Sequence, residues 1–166
     1  MITDTKVLIH SLSNGPIILN HLLELIPSHL IKEKRKAGCW TIHEQVCHLI
    51  DAQSILRNRF EIFADNESPH ISAHEPTEEQ GPDYYLAMDM EKMVSEFPAI
   101  RASMVEMLSS YPESYWRKTG THDAFIPYSS RQLLIHTLNV DHTHFFSIEQ
   151  LGFTRKGQEA NILTVL

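Results

Sequence analysis

The sequence is poor in several residue types, and each shortage excludes something. Cysteine occurs only as Cys39 and Cys47, outside any C-x-x-C arrangement. Two thiols make no disulfide framework, so a reducing, cytoplasmic setting is the expectation. Six glycines and eight prolines are too few for a loop-rich sandwich or a low-complexity chain. Basic side chains number 14 against 21 acidic ones, and the formal charge of −7 argues against a nucleic-acid-coating surface, which needs a basic footprint. Nowhere do roughly 18 apolar residues run together, so no membrane partner is expected. The opening MITDTKVLIHSLSNG carries an acid and no long apolar stretch, so no signal peptide is read there. Neither a glycine-rich phosphate loop, a nucleophile elbow nor an H-E-x-x-H pair occurs.

Apolar residues, by contrast, make up 42% of the 166, enough for one core in one domain. Their spacing is helical. Ile42, Val46, Leu49, Gln53, Leu56, Phe60 and Phe63 form one stripe behind a T-x-x-E capping box, Thr41 with Glu44, preceded by the apolar Trp40. Leu86, Met90, Met93, Phe97, Ile100, Met104, Met107 and Tyr111 form a second, with Pro98 expected to kink or split that helix. Ser129 and Gln132 offer another capping box, followed by Leu133, His136, Val140, His144, Ile148 and Leu151. A fainter first helix, through Ile18, Leu22, Leu25 and His29, begins after Asn14-Gly15-Pro16 and ends near Pro27. The methionines read as core filler, and Tyr115 and Trp116 as a cover over the open end of the fold. These elements predict an all-α four-helix bundle with a long connection (64–83) between helices two and three. The whole chain, 1–166, reads as a single domain, with a core at about 14–151 and a tail at 152–166.

Histidine is unusually frequent, with 11 copies. His70, His74 and His122 fall in predicted loops, His10 before the first clear helix and His43 in the first turn of the second. His142 is rotated about 200° from His144 at 100° per residue, and these six read as solvated. His48, beside the core stripe two turns into its helix, and His144, inside an apolar stripe, need partners, because an unpaired buried polar group costs about 1–3 kcal/mol. Hydrogen-bonded core histidines are one reading and a metal site between facing helices is the other. Zinc or nickel suits neutral imidazole, and a catalytic zinc has about three protein ligands and an open position.

The run Trp40-Thr41-Ile42-His43-Glu44-Gln45-Val46-Cys47-His48-Leu49-Ile50-Asp51-Ala52 resembles the W-[ST]-x-x-E-x-x-x-H-L-x-D-A signature of the DinB-like superfamily. The stretch LLIHTLNVDHTHFFSIEQL is similar to that family's last-helix pattern, and the likeness spans about 14–151. The resemblance implies a four-helix bundle, often dimeric, among whose members are metal-dependent enzymes and transferases using bacillithiol or mycothiol. It also implies a metal triad of one histidine on helix two and two on the last helix, four apart. His48 and His144 match that triad. Val140 stands at the middle ligand position and Ser147 where glutamine is usual, while His136 matches a leading histidine that is not normally a ligand.

His136 cannot substitute, since eight residues place it about 12 Å from His144 along the axis. Asp141, three residues before His144, and Asp51, three after His48, are the candidate third ligands or supports. His136, Val140 and Ser147 are expected at the pocket or behind it, His21 is a remote candidate, and Glu44 is taken by its cap. Cys47 projects about 100° from His48 and is read as core, and Cys39 as reactive only if exposed. Two functions follow. One is a metal-dependent transferase or hydrolase acting on a small molecule, with a water or a thiol activated by zinc or nickel; a homodimer is a further expectation. The other is a metal-free bundle that binds a small molecule or dimerises as a stress protein, and Val140 weighs toward it.

Overall fold

In the computed structural model residues 3–35, 38–73, 81 and 83–153 are described; His74 and the tail beyond Phe153 lie outside them. The expected four-helix bundle is present, with its first arm broken in two. Helix α1 (Thr3–Leu12) and helix α2 (Gly15–Leu25) follow each other across a turn at Ser13 and Asn14, and each packs on α4 and α5. Residues before Asn14 thus belong to the packed body, because Ile9 and Leu12 are buried in its core. The inward face of α2 is Pro16 and Leu19, whereas Ile18, Leu25 and His29 of the expected stripe are exposed. The buried register runs instead from Gly15, Pro16 and Leu19 to Ile26, with Leu22 and Leu23 partly buried.

Helix α3 (Ile42–Asp65) forms as the sequence predicts. Thr41 Oγ1 accepts the Glu44 N–H at 3.2 Å, and Glu44 Oε2 accepts the Thr41 N–H at 2.7 Å. Every residue of its stripe, from Ile42 to Phe63, is buried. Its last carbonyls, which no further turn can satisfy, receive the Lys118 ammonium: Phe63 O at 2.8 Å, Ala64 O at 3.0 Å and Asn66 O at 3.2 Å.

Helix α4 (Met90–Ser110) starts on Asp89, whose side chain accepts the Lys92 N–H. Pro98 does not split it. The proline is exposed, so the carbonyl that loses its N–H partner can turn to water. The buried residues are Phe97, Arg101, Met104 and Leu108, with Ile100 exposed; a buried arginine, not the expected isoleucine, faces the bundle. Helix α5 (Ser130–Gly152) has Ser129 as its cap, but the box is half made, because the Gln132 amide donates to Pro127 O.

The sequence reading contained no strands. Three short ones close one end of the bundle, with β1 (His70–Ile71) parallel to β2 (Thr119–His122) and β2 antiparallel to β3 (Tyr128–Ser129). Gly120 is required there, since a Cβ would come within 2.5 Å of Pro69 O. Tyr115 and Trp116 lie beneath this sheet end, both buried, and the Tyr115 hydroxyl donates to Phe60 O at 3.0 Å. The core has two parts, one at the sheet end around Phe60, Phe63 and Trp116, the other around Leu19, Val46, Leu49, Phe97 and Ile148. Val140 packs against both. Among the described residues no helix is long and apolar enough to cross a membrane.

Candidate functional site

Where α3 and α5 face each other, the capping box fixes the start of α3 and so aims Gln45 and His48, three residues apart, along one face. Ser129 does the same for α5 and His144. The two imidazole rings stand 5.0 Å apart. Gln45 Oε1, an acceptor only, receives the His144 Nδ1–H at 2.6 Å. Nδ1 of His48 pairs with the Tyr85 hydroxyl at 2.9 Å. Trp40 lies over the pair, 4.7 Å from His48 and near-parallel to His144 at 6.4 Å, and Tyr85 meets His48 edge-on at 5.1 Å. Tyr85 comes from a short 3-10 turn, Tyr85–Ala87, after the long connection and packed on α3.

Electrostatics follow from this enclosure. His144 is 4% exposed, and burial, with His48 beside it, pushes its pKa down to about 3, so the ring is neutral at pH 7. With the proton on Nδ1, its Nε2 carries a lone pair. Burial, aided by Asp51 and Tyr84, pushes the Tyr85 phenol up to about 12, so it stays protonated and able to donate. The cluster therefore has a neutral base or ligand in His144, a histidine coupled to a phenol, and aromatic walls.

The other sequence candidates are dispersed. Asp141 is committed elsewhere: its carboxylate pairs with Arg101 at 2.8 Å and lies under the N-terminus of α2, where a Cβ on Gly15 would approach its Oδ2 to 3.1 Å. A buried guanidinium and a helix N-terminus hold the charge that a metal would otherwise have met. Asp51 is half-buried and lines a groove between α3 and α4 with Gln53, Arg57 and Met93. The Ser147 hydroxyl donates to Thr143 O of its own helix at 2.9 Å. His136 lies at the sheet end beside His122, 6.5 Å ring to ring. Glu44 serves its cap, as expected, and Cys47 is fully buried with its thiol pushed up by burial to about 11. Cys39 is buried as well.

Two histidines read as solvated are not. His43 is buried and donates from Nε2 to Met88 O at 3.1 Å; burial and Lys32 push its pKa down. His122 ends β2 inside the sheet-end core. His10, His70 and His142 are exposed, as is His21, which pairs with Glu24. Of the functional side chains, Gln45 was detectable from its register with His48. Tyr85 had no such signal, since only the return of the long connection brings it there.

Whether the pair suits a metal is a matter of donors. Two imidazoles 5.0 Å apart, each hydrogen-bonded through Nδ1, could ligate an ion only through Nε2, at the usual distance of about 2.0–2.1 Å. Among the described residues no third His, Cys, Asp or Glu joins them. The set fits a two-histidine site, with further positions left to water or substrate.

Residues 16–145 match the DinB superfamily. The chain belongs to the DinB superfamily. No curated protein matches it significantly. Among solved structures this DinB-superfamily chain is similar to YfiT from Bacillus subtilis, described as a probable metal-dependent hydrolase with an unusual four-helix bundle topology. The two share 16% identity over 93% of this chain and 91% of that one, with a TM-score of 0.70. At that identity the likeness concerns the fold.

Proposed function

We propose that the chain is a metal-dependent enzyme of hydrolase or thiol-transferase type, with a divalent ion, zinc or nickel, held by His48 and His144. The observation that carries this is the 5.0 Å imidazole pair, oriented through Nδ1 on both rings. The description of YfiT and the family membership support it. Bound there, the ion would lower the pKa of a coordinated water or thiol and supply a nucleophile at neutral pH.

This chain's own groups do the rest. Gln45 keeps the His144 proton on Nδ1, so that Nε2 faces the site. As a ligand His48 would donate its Nδ1–H to the Tyr85 oxygen, which leaves the hydrogen of that phenol able to meet a developing anion. Trp40 covers the pair and restricts water. Since the described residues supply two ligands, the substrate or thiol is expected to complete the set.

Val140, one turn before His144, favours a second reading in which the pocket binds a small molecule without metal. Metal analysis of untagged protein, reconstituted with zinc or nickel, separates the two. About one ion per chain is expected, lost in His144→Ala and kept in His142→Ala, with Val140→His tightening binding. Substoichiometric metal after reconstitution would overturn the metal reading and leave the pocket.

A further inference from the structure

The turn that carries Tyr85 is three residues long, Tyr85–Ala87, and its own bonds are short-range. The Ala87 N–H donates to Asp83 O at 3.1 Å and the Met88 N–H to Tyr85 O at 3.3 Å. One isolated turn of this kind is not stable by itself, so what holds Tyr85 in place is the helix it packs on, α3. Two α3 histidines, five residues apart, reach it. His48 Nδ1 meets the Tyr85 hydroxyl at 2.9 Å, and His43 Nε2 donates to Met88 O at 3.1 Å. The Tyr85 carbonyl lies beside the His43 ring as well.

His43 is itself fixed. It is 3% exposed in the first turn of α3, its backbone N–H donates to Ile31 O at 2.9 Å, and the Thr41–Glu44 box encloses it. A carbonyl only accepts, so the His43 proton is on Nε2. Burial, then the charge of Lys32, lowers its pKa against Glu44 and the two carbonyls, which leaves a neutral ring with that one N–H to give. The bond spans 45 residues of sequence. It therefore secures the long connection at the point where Tyr85 enters the site.

We propose that His43 is a positioning residue for the site: by holding Met88 O it keeps Tyr85 against His48, and so sets which nitrogen of His48 bears the proton. The inference rests on the reading of His48 as a functional side chain and needs no ion. A hydrogen bond weakens steeply with distance and misalignment, so movement of the turn by about 1 Å is enough to release His48.

Nitrogen NMR of the imidazoles in the full, metal-free chain at about pH 8, above the ordinary histidine range, tests this. A ring held in one tautomer gives two widely separated nitrogen signals; a ring exchanging between tautomers gives two that draw together. His48 is expected to show the first pattern in the unaltered chain and the second in both Tyr85→Phe and His43→Leu. His144, held by Gln45, should keep its signals throughout. His43→Gln, whose amide nitrogen can stand where Nε2 stands, should restore the first pattern at His48. If His43→Leu does not fold, His43→Asn, whose amide stops short of Met88 O, takes its place. A purely structural His43 would lower stability and leave the His48 signals where they are. The proposal falls on that result, on His48 signals unmoved by Tyr85→Phe, on His43→Gln moving them as far as His43→Leu, or on His144 moving with them. Zinc is added afterwards. Where it binds, His43→Leu should weaken it about tenfold or more; an unaltered chain that takes up none overturns the metal reading and leaves the His48 result standing.

Discussion

At one end of the bundle His48 and His144 face each other with Nδ1 of both rings taken by Tyr85 and Gln45. At the other, His122 and His136 are packed among rings, with the Nε2 of His122 unpartnered. His144 and His122 are buried and His48 and His136 half-buried, yet only the first pair is oriented by side chains. Orientation makes a base or ligand, because the remaining nitrogen then has a fixed direction. His122 is held by the backbone instead, its Nδ1 accepting the Ala124 N–H at 2.9 Å. Between them, Arg101 and Asp141 form a buried ion pair, with Arg101 also 5.1 Å from the Phe97 ring.

That pair is where the comparison can be broken hardest. Arg101→Leu leaves the Asp141 carboxylate buried and uncompensated, and a loss of about 3–5 kcal/mol is expected in denaturant unfolding. If the two ends were independent units, two transitions would appear in place of one.

Next comes the pH dependence of the oriented end. In the folded chain His144 titrates near 3, in the unfolded chain near 6.5. Between those values the unfolded state binds the additional proton, so stability rises with pH across the window and is lost as pH falls from about 6.5 toward 3. His144→Gln should flatten that slope by up to about 1.4 kcal/mol per pH unit, measured as unfolding free energy against pH. His43, His122 and His136, also pushed down, leave a residual slope of the same sign.

Smaller effects separate satisfied from unsatisfied hydroxyls at the sheet end. Tyr115→Phe removes the bond to Phe60 O and should cost about 1 kcal/mol. Tyr128→Phe removes a hydroxyl that has no partner and should leave stability unchanged or slightly higher, read by thermal unfolding. A loss as large as that of Tyr115→Phe would mean that the Tyr128 hydroxyl is already satisfied.

Much of this architecture could be read from residue spacing. The stripe from Ile42 to Phe63 is buried at every position, and the Thr41–Glu44 box starts α3 as expected, because both depend on neighbours within one or two turns. The first arm was harder to see. Helix α1 is short and, among its described side chains, buries only Thr5, Ile9 and Leu12, and the buried register of α2 runs through Gly15, Pro16 and Leu19 to Ile26 beyond its end. Pro98 leaves α4 continuous, since an exposed proline removes one hydrogen bond on the face where water replaces it.

By itself the sequence determined helices α3, α4 and α5, the bundle and the two positions His48 and His144, since capping and the 3.6-residue period are local properties of the chain. Only the tertiary structure decided how those histidines are held. Tyr85 arrives by way of the long connection, Arg101 takes Asp141 from across the bundle, and the short strands carry His122 to His136. Such contacts join residues far apart in sequence and are set by packing, which leaves no period to read.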